Sequence, residues 1–400
     1  MREKILWLVL LSLAGTLPRA NSQTQYSIGS PTNEEQYMLE LINRARANGG
    51  AEATRLGLSG LQEGPPNYNG EVWTIANSNQ PLSWNPLLFN AAQGQATNLN
   101  NGDQFFLGVS PHTYGGLTPQ QRIANAGYSE ATYTGPTTSP SHFFPGPENV
   151  AEEVSQGSGP YIGTHLLTAV SNAHDDLFTD LSTASRGHRN TMMLGFFREV
   201  GIGISAGTDN QSNPGQPGGT WDSLYIVQDY GTATGSTPFI TGVVYQDING
   251  NSFYDVGEGL GGVRVEVTGA SFYAVTSSSG GYSVPVSSNG SYPIKFSGGS
   301  VVTSSGSALV AGLLNAKVDY LAQVLTGITA VARSSMSFVV TFQTIAQRTY
   351  RLERTSSLTS PNWQDAGVGD FLALSTGTGQ RTDPNALTLG KAFYRVRLLP

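Results

Sequence analysis

Ser-Arg-Gly-His-Arg-Asn at residues 185–190 decides how the first half of this chain is read, together with Ser-Pro-His-Thr (110–113) and Pro-Glu-Asn (147–149) before it. All five histidines fall between residues 112 and 188, and His112 and His188 sit inside these phrases. The remaining 212 residues carry none. Chemistry is therefore expected in the first half, and the second half is expected to support it.

Around these phrases the apolar spacing is helical. Tyr37, Met38, Leu41, Ile42 and Ala45 recur at 3.6-residue intervals after Thr32 or Asn33, either of which can cap a helix. A second helix is expected from Pro86, with Leu87, Leu88, Ala91, Ala92 and Gln95 in register. A third runs from Thr118-Pro119 to Gly127, and a fourth covers His165 to Leu177. After His188 the pattern changes to paired strands, Val200-Gly-Ile-Gly-Ile-Ser and Leu224-Tyr-Ile-Val-Gln-Asp-Tyr. Helices followed by strands predict an α+β layered domain over 30–232. The Gly/Thr/Ser stretch 231–238 reads as a linker. Short alternating runs then predict two small all-β sandwich modules, one over 239–300 and one over 328–400, with 301–327 connecting them.

Composition narrows the class. Arg2 and Lys4, the apolar run Ile5 to Leu13 and Ala20-Asn21-Ser22 have the form of a secretory signal peptide over 1–22. The run is too short to span a bilayer, so no transmembrane segment is expected. Cleavage after Ser22 moves the formal charge from -7 to -9. Zero cysteines exclude thiolate metal sites, cysteine nucleophiles and disulfides, and in an exported protein their absence points to a bacterial source. With 12% charged residues and no basic face, nucleic acid is not an expected partner.

A series of phrases in order carries a resemblance. They are Leu41-Ile-Asn-Arg-Ala-Arg46, Gln80-Pro-Leu-Ser-Trp-Asn85, His112, Arg122-Ile-Ala-Asn-Ala-Gly-Tyr128, Pro147-Glu-Asn-Val-Ala151, Gly187-His-Arg-Asn190 and Val200-Gly-Ile-Gly203. Residues 33–232 thereby resemble the CAP superfamily of cysteine-rich secretory, antigen 5 and pathogenesis-related proteins, in a cysteine-free bacterial form. The resemblance implies an α-β-α sandwich with an open cleft around two His and two acidic residues. Position by position, His112 and His188 match the cleft histidines and Glu148 the first acid. The second acid is open between Asp180, Asp176 and His174, with Asp180 taken as the cleft candidate.

Two neutral imidazoles can give Zn²⁺ nitrogen ligands, and a nearby carboxylate can complete the shell or act as general base. The residues lack the i, i+4 spacing of a His-Glu-x-x-His helix, and no Ser, Thr or Cys stands out as a nucleophile. The Gly-His-Arg phrase is equally readable as a structural device. Because the fold hosts many roles, the leading expectation is a secreted extracellular protein that binds a lipid, glycan or protein, or acts as a scaffold; attachment to the cell surface is left open. A zinc-dependent hydrolase using His112, Glu148, His188 and Asp180 is the alternative, and a purely structural surface protein the third reading. His142, His165 and His174 are expected to be loop or hydrogen-bonded residues.

A second motif lies at 247–258, Asp-Ile-Asn-Gly-Asn-Ser-Phe-Tyr-Asp-Val-Gly-Glu. Side-chain oxygens fall at positions 1, 3, 5, 9 and 12, the spacing of a calcium loop. Asp247, Asn249, Asn251, Asp255 and Glu258 are the expected Ca²⁺ ligands, with the Phe253 carbonyl as a sixth. Position 6 is Ser252 in place of glycine, and the flanks read as strands. With those flanks the segment resembles the Ig-like B-type repeats of bacterial surface adhesins, which implies a structural ion. The module at 328–400, with Tyr350-Arg-Leu-Glu-Arg-Thr and Ala392-Phe-Tyr-Arg-Val-Arg-Leu, shows no catalytic constellation and reads as a spacer or adhesion element.

Overall fold

The computed structural model describes residues 23–58, 62–63, 73–74, 78–102, 110–132, 147–155, 159–181, 186–209, 221–299, 301–322, 325–334, 337–344, 348–374, 377–385, 388 and 390–399. The expected signal peptide and His142 lie outside them.

The first half runs β1 (Thr24–Tyr26), α1 (Asn33–Ala47), α2 (Gly49–Arg55), β2 (Gln62–Glu63), β3 (Trp73–Thr74), β4 (Ser83–Trp84), α3 (Pro86–Asn101), a 3-10 turn (Tyr114–Gly116), α4 (Pro119–Asn125), β5 (Glu148–Ser155), α5 (Gly163–Thr179), α6 (Gly187–Met193), β6 (Glu199–Asp209) and β7 (Trp221–Gly231). All four expected helices form, three of them behind side-chain caps. Thr32 and Glu35 close a reciprocal capping box on α1, and Thr118 and Gln121 close one on α4. Asn85 caps α3, with Pro86 in its first turn. The short helices α2 and α6 and the strand β5 were not expected.

Four strands make one sheet in the order β4-β6-β7-β5, with β5 at its free edge. Val200, Ile202, Leu224, Ile226 and Tyr230 pack on α1, α5 and α6. On the opposite face Val150, Tyr225 and Val227 pack on Ala92, Ala96 and Leu99 of α3. Gly201 and Gly203 let α3 lie close: a Cβ at Gly201 would stand 1.9 Å from the Phe89 nitrogen, and one at Gly203 2.3 Å from that of Gln93.

The second half continues with β8 (Phe239–Tyr245), β9 (Val263–Val267), β10 (Phe272–Val275), β11 (Gly281–Pro285), β12 (Gly290–Gly298), β13 (Ser304–Val310), β14 (Ala316–Lys317) and β15 (Tyr320–Leu321). Two sheets, β1-β10-β9-β12-β13 and β11-β8-β14 with β15 also on β8, share one core that includes Ile240, Val265, Tyr282 and Phe296. The stretch 301–322, expected as a connector, supplies β13 to β15, and Ala308, Val310 and Ala322 enter that core. The last unit contains β16 (Leu325–Thr326), β17 (Ile328–Arg333), β18 (Phe338–Thr344), β19 (Arg348–Thr355), β20 (Gln364–Ala373), β21 (Gly377–Asp383) and β22 (Phe393–Leu399), in sheets β16-β22-β19-β20 and β17-β18-β21 around Val340, Phe342, Tyr350 and Val396. The chain is thus a mixed α+β unit followed by β-rich units.

The first two units do not hang from a free linker. Across their contact Ser83 Oγ donates to Ser283 Oγ at 2.8 Å. Asn315 donates to the carbonyls of Pro81 and Arg198 at 2.9 and 2.8 Å, and the Lys317 ammonium lies 2.8 Å from Glu40. Glu130 and Ala233 form a bridge that pins the expected linker to the first unit.

Candidate functional site

His112 lies in the turn before the 3-10 segment, Glu148 opens β5, Asp180 ends α5, and His188 is the second residue of α6. The fold brings all four together at the free edge of the sheet. Asp180 is the C-cap of α5 in the left-handed region (φ 44°, ψ 42°), a conformation that Asp tolerates better than most residues. Arg186 is also left-handed (φ 51°) and donates to the Asp180 carbonyl. This turn places the carboxylate beneath α6. Asp180 Oδ1 is 3.0 Å from His188 Nδ1, and Oδ2 accepts the His188 backbone N–H at 2.9 Å. The two alternatives for this position point elsewhere. His174 is buried against Glu52 (Nε2 to Oε1 2.9 Å), and Asp176 is exposed.

The other wall is built the same way. His112 Nδ1 lies 3.0 Å from Glu148 Oε1, while Arg122 donates to Glu148 Oε2. Arg122 also donates to the carbonyls of His112 (3.0 Å) and Leu117 (2.7 Å), so one guanidinium holds both the carboxylate and the loop that carries the imidazole. Asn149 donates to the His188 carbonyl at 3.0 Å from the opposite face of β5. The two rings stand 6.4 Å apart, inclined by 27°, with side chains 35% and 29% exposed. With each Nδ1 committed to a carboxylate, each Nε2 is left to face a ligand.

Two further acids flank these walls, and the sequence reading did not single them out. Asp229 of β7 is the register partner of Glu148, and it is wholly buried against that carboxylate. Burial first, and the Glu148 charge second, hold its carboxyl well above the usual range. Glu152, four residues along β5 from Glu148, is also raised by burial, opposed by the nearby His112. Its Oε1 is buried without a partner.

Among the described residues, one group of three His or acidic donors lies within 4.8 Å of one another: Glu52, His174 and Asp175. It is already filled by cations. Arg44 grips Glu52 at 2.9 and 2.8 Å, and Arg55 bridges Glu52 (2.7 Å) and Asp175. Burial alone would raise the Glu52 carboxyl, but hydrogen bonds from His174, Arg44 and Arg55 hold it well below the usual range. Two guanidiniums at this distance oppose a metal ion, and the cluster reads as an ion network joining α1, α2 and α5. The default expected for His174 fits it.

The 247–258 loop curls on itself. Asp247 Oδ1 accepts the N–H of Gly250 (2.8 Å) and of Asn251 (3.1 Å), and Oδ2 that of Ser252 (2.8 Å). Asp255 Oδ2 accepts the side-chain amides of Asn249 (2.6 Å) and Asn251 (2.7 Å). Glu258 folds back to accept the N–H of Ile248 (2.6 Å) and Asp255 (2.9 Å). Ser252 adopts φ 61°, the left-handed geometry that glycine would supply at this position. The Phe253 side chain leaves the loop and meets Tyr37 (6.2 Å) and the Arg44 guanidinium (5.1 Å) on α1.

Residues 39–230 match the model of the CAP family, described as the cysteine-rich secretory protein family. No curated protein matches the chain. Among solved structures, a protein of Bacteroides uniformis named as a candidate carbohydrate binding protein aligns at 13% identity, over 41% of this chain and 97% of its own, with a TM-score of 0.19. DUF3823 family proteins of Parabacteroides merdae (13% identity, 91% of that chain) and Bacteroides ovatus (16%, 90%) align over the same 41% share with the same score. Likeness at that level carries no argument about fold or ligand.

Proposed function

With residues 39–230 taken as a CAP domain, we propose that this is a secreted binding or scaffold protein whose cleft takes its ligand, a lipid, glycan or protein, between His112 and His188. One observation carries the reading: both imidazoles are held by Nδ1 to carboxylates, are partly exposed, and stand 6.4 Å apart at the free edge of one sheet. Helices on both faces of a central sheet are the layering that the family resemblance implies. No helix among the described residues is long and apolar enough to cross a membrane.

The donor set also fits Zn²⁺, which accepts two imidazole nitrogens and leaves positions for an oxygen ligand. At 6.4 Å the rings would have to draw together around an ion. A bound zinc would supply Lewis acidity, and on that ground a zinc-dependent hydrolase remains the second reading. Binding ranks ahead of hydrolysis because the oxygens of Glu148 and Asp180 are taken up holding the rings and Arg122, so neither is free to act as general base. In the second unit, Asp247, Asn249, Asn251, Asp255, Glu258 and the Phe253 carbonyl are proposed to hold a structural Ca²⁺.

The test is a calorimetric zinc titration of the full chain beside the His112→Ala/His188→Ala double variant. One-to-one binding that vanishes in the variant is expected. Binding unchanged by the double substitution, or no binding by the wild type, would rule out a zinc-competent cleft.

A further inference from the structure

A groove of about 520 Å³, within the size range of small-molecule sites, runs between α3, the 3-10 turn and α4. Gln95 fastens the turn to α3 by donating to the carbonyls of Pro111 (2.7 Å) and Tyr114 (3.4 Å). Arg122 lines the groove, but neither cleft histidine does.

Along α3, Asn90, Gly94 and Asn98 recur every four residues and so share one face, about 12 Å from first to last. All three are exposed and line the groove. Glycine inside a helix weakens it relative to alanine, and no packing contact requires one at Gly94: a Cβ there would meet nothing within 4 Å. Gly201 and Gly203 are the contrast, since helix backbone fills the space above them. Bare backbone between two amides lets a molecule from outside the chain approach the helix closely.

The side chains that flank this opening have hydrogen-bonding capacity to spare. The amides of Asn90, Asn98 and Asn125 make no hydrogen bond among the described residues. Each sets a donor beside an acceptor, which matches neighbouring hydroxyl groups that themselves donate and accept. Net charge is absent: no acid lines the groove, and its cation, Arg122, is paired with Glu148. Tyr114 and the exposed Leu117 add apolar surface for the C–H faces of a sugar ring. A lipid chain would leave the amides unmatched.

We propose that this groove is a saccharide-binding site, separate from the histidine cleft, that takes a neutral oligosaccharide. It stands whether or not the cleft binds zinc.

The test is calorimetry on the full-length protein with cello-, xylo-, malto-, manno- and N-acetylchito-oligosaccharides as neutral probes and a heparin oligosaccharide as the charged one. Saturable binding of at least one neutral probe is expected. Gly94→Leu enters open space on a helix, so it should fold with an undiminished melting temperature and abolish that binding. Asn98→Ala/Asn125→Ala, at two exposed positions, should weaken binding by about 10–30-fold and decides the matter if Gly94→Leu does not fold. Thr97→Leu, exposed on the same helix but outside the groove, should bind like the wild type. Wild-type affinity in folded Gly94→Leu or in the asparagine pair would overturn the proposal, as would an equal loss in Thr97→Leu. Binding of the heparin probe alone, or of no probe, would overturn it as well.

Discussion

Asp229 is the residue that shows how closely charge is rationed beneath the cleft. A buried carboxyl with a raised pKa binds its proton more tightly in the folded state than in the unfolded one. Its contribution is therefore most favourable in acid. It declines as pH rises past the unfolded Asp value of about 4, and levels off only at the folded pKa. Asp229→Asn keeps the shape and removes the titration. It should make the protein more stable than the wild type at pH 7, with a gap that closes at up to about 1.4 kcal/mol per pH unit on acidification toward pH 4. Urea melts across that range measure the gap, and parallel curves would refute the assignment. At this scale the sequence was partly legible. His112, Glu148 and His188 stand in recognisable phrases. Asp180 could only be narrowed to three candidates, because its placement depends on a left-handed turn that no local pattern announces. Arg122 was visible as part of a phrase, but its partner Glu148 lies 26 residues away.

Among the elements, the contact between α3 and β6 makes the sharpest demand on sequence. Gly201→Ala would drive a methyl group into the backbone of α3 and should destabilise the first unit by about 3 kcal/mol or more, the upper end of overpacking costs. Gly94, on the exposed side of the same helix, has open space around it, and Gly94→Ala should stabilise by up to about 1 kcal/mol. Opposite shifts in the urea midpoint are expected; a neutral Gly201→Ala would mean that the helix can lift off the sheet at little cost. α1, α3 and α4 were readable because caps and apolar spacing agreed, and α5 from its apolar spacing alone. β5 was not: Glu-Asn-Val-Ala-Glu-Glu-Val-Ser offers few apolar residues, as befits an edge strand that lines a cleft. α6 escaped for a different reason, since it starts at a glycine after a left-handed Arg186 with no side-chain cap. β14 and β15 are two-residue strands that find β8 more than 70 positions back, and no periodicity can report such pairing.

Across the whole molecule, the 247–258 loop is where the units meet. Phe253 touches α1 of the first unit, and Arg348 of the last unit donates to the Ile248 carbonyl at 2.8 Å. An ion bound here should therefore be felt beyond its own loop. At a calcium concentration a hundredfold above Kd, stability should rise by about 2.7 kcal/mol, and Asp247→Ala should abolish the gain. Phe253→Ala should keep calcium binding while reducing the protection of α1 amides against hydrogen exchange. Identical melts with and without calcium would refute the site. The pairing of Thr24–Tyr26 with Phe272–Val275 carries a different consequence, one of timing. The earliest described strand is a parallel neighbour of one made about 250 residues later, and Gln23 ties to the carbonyls of Val267 and Ala270 beside it. Until that later segment emerges, the leading strand has no ladder to join. Closing so long a loop is slow, and it makes final assembly of the amino-terminal end wait on synthesis of the second unit.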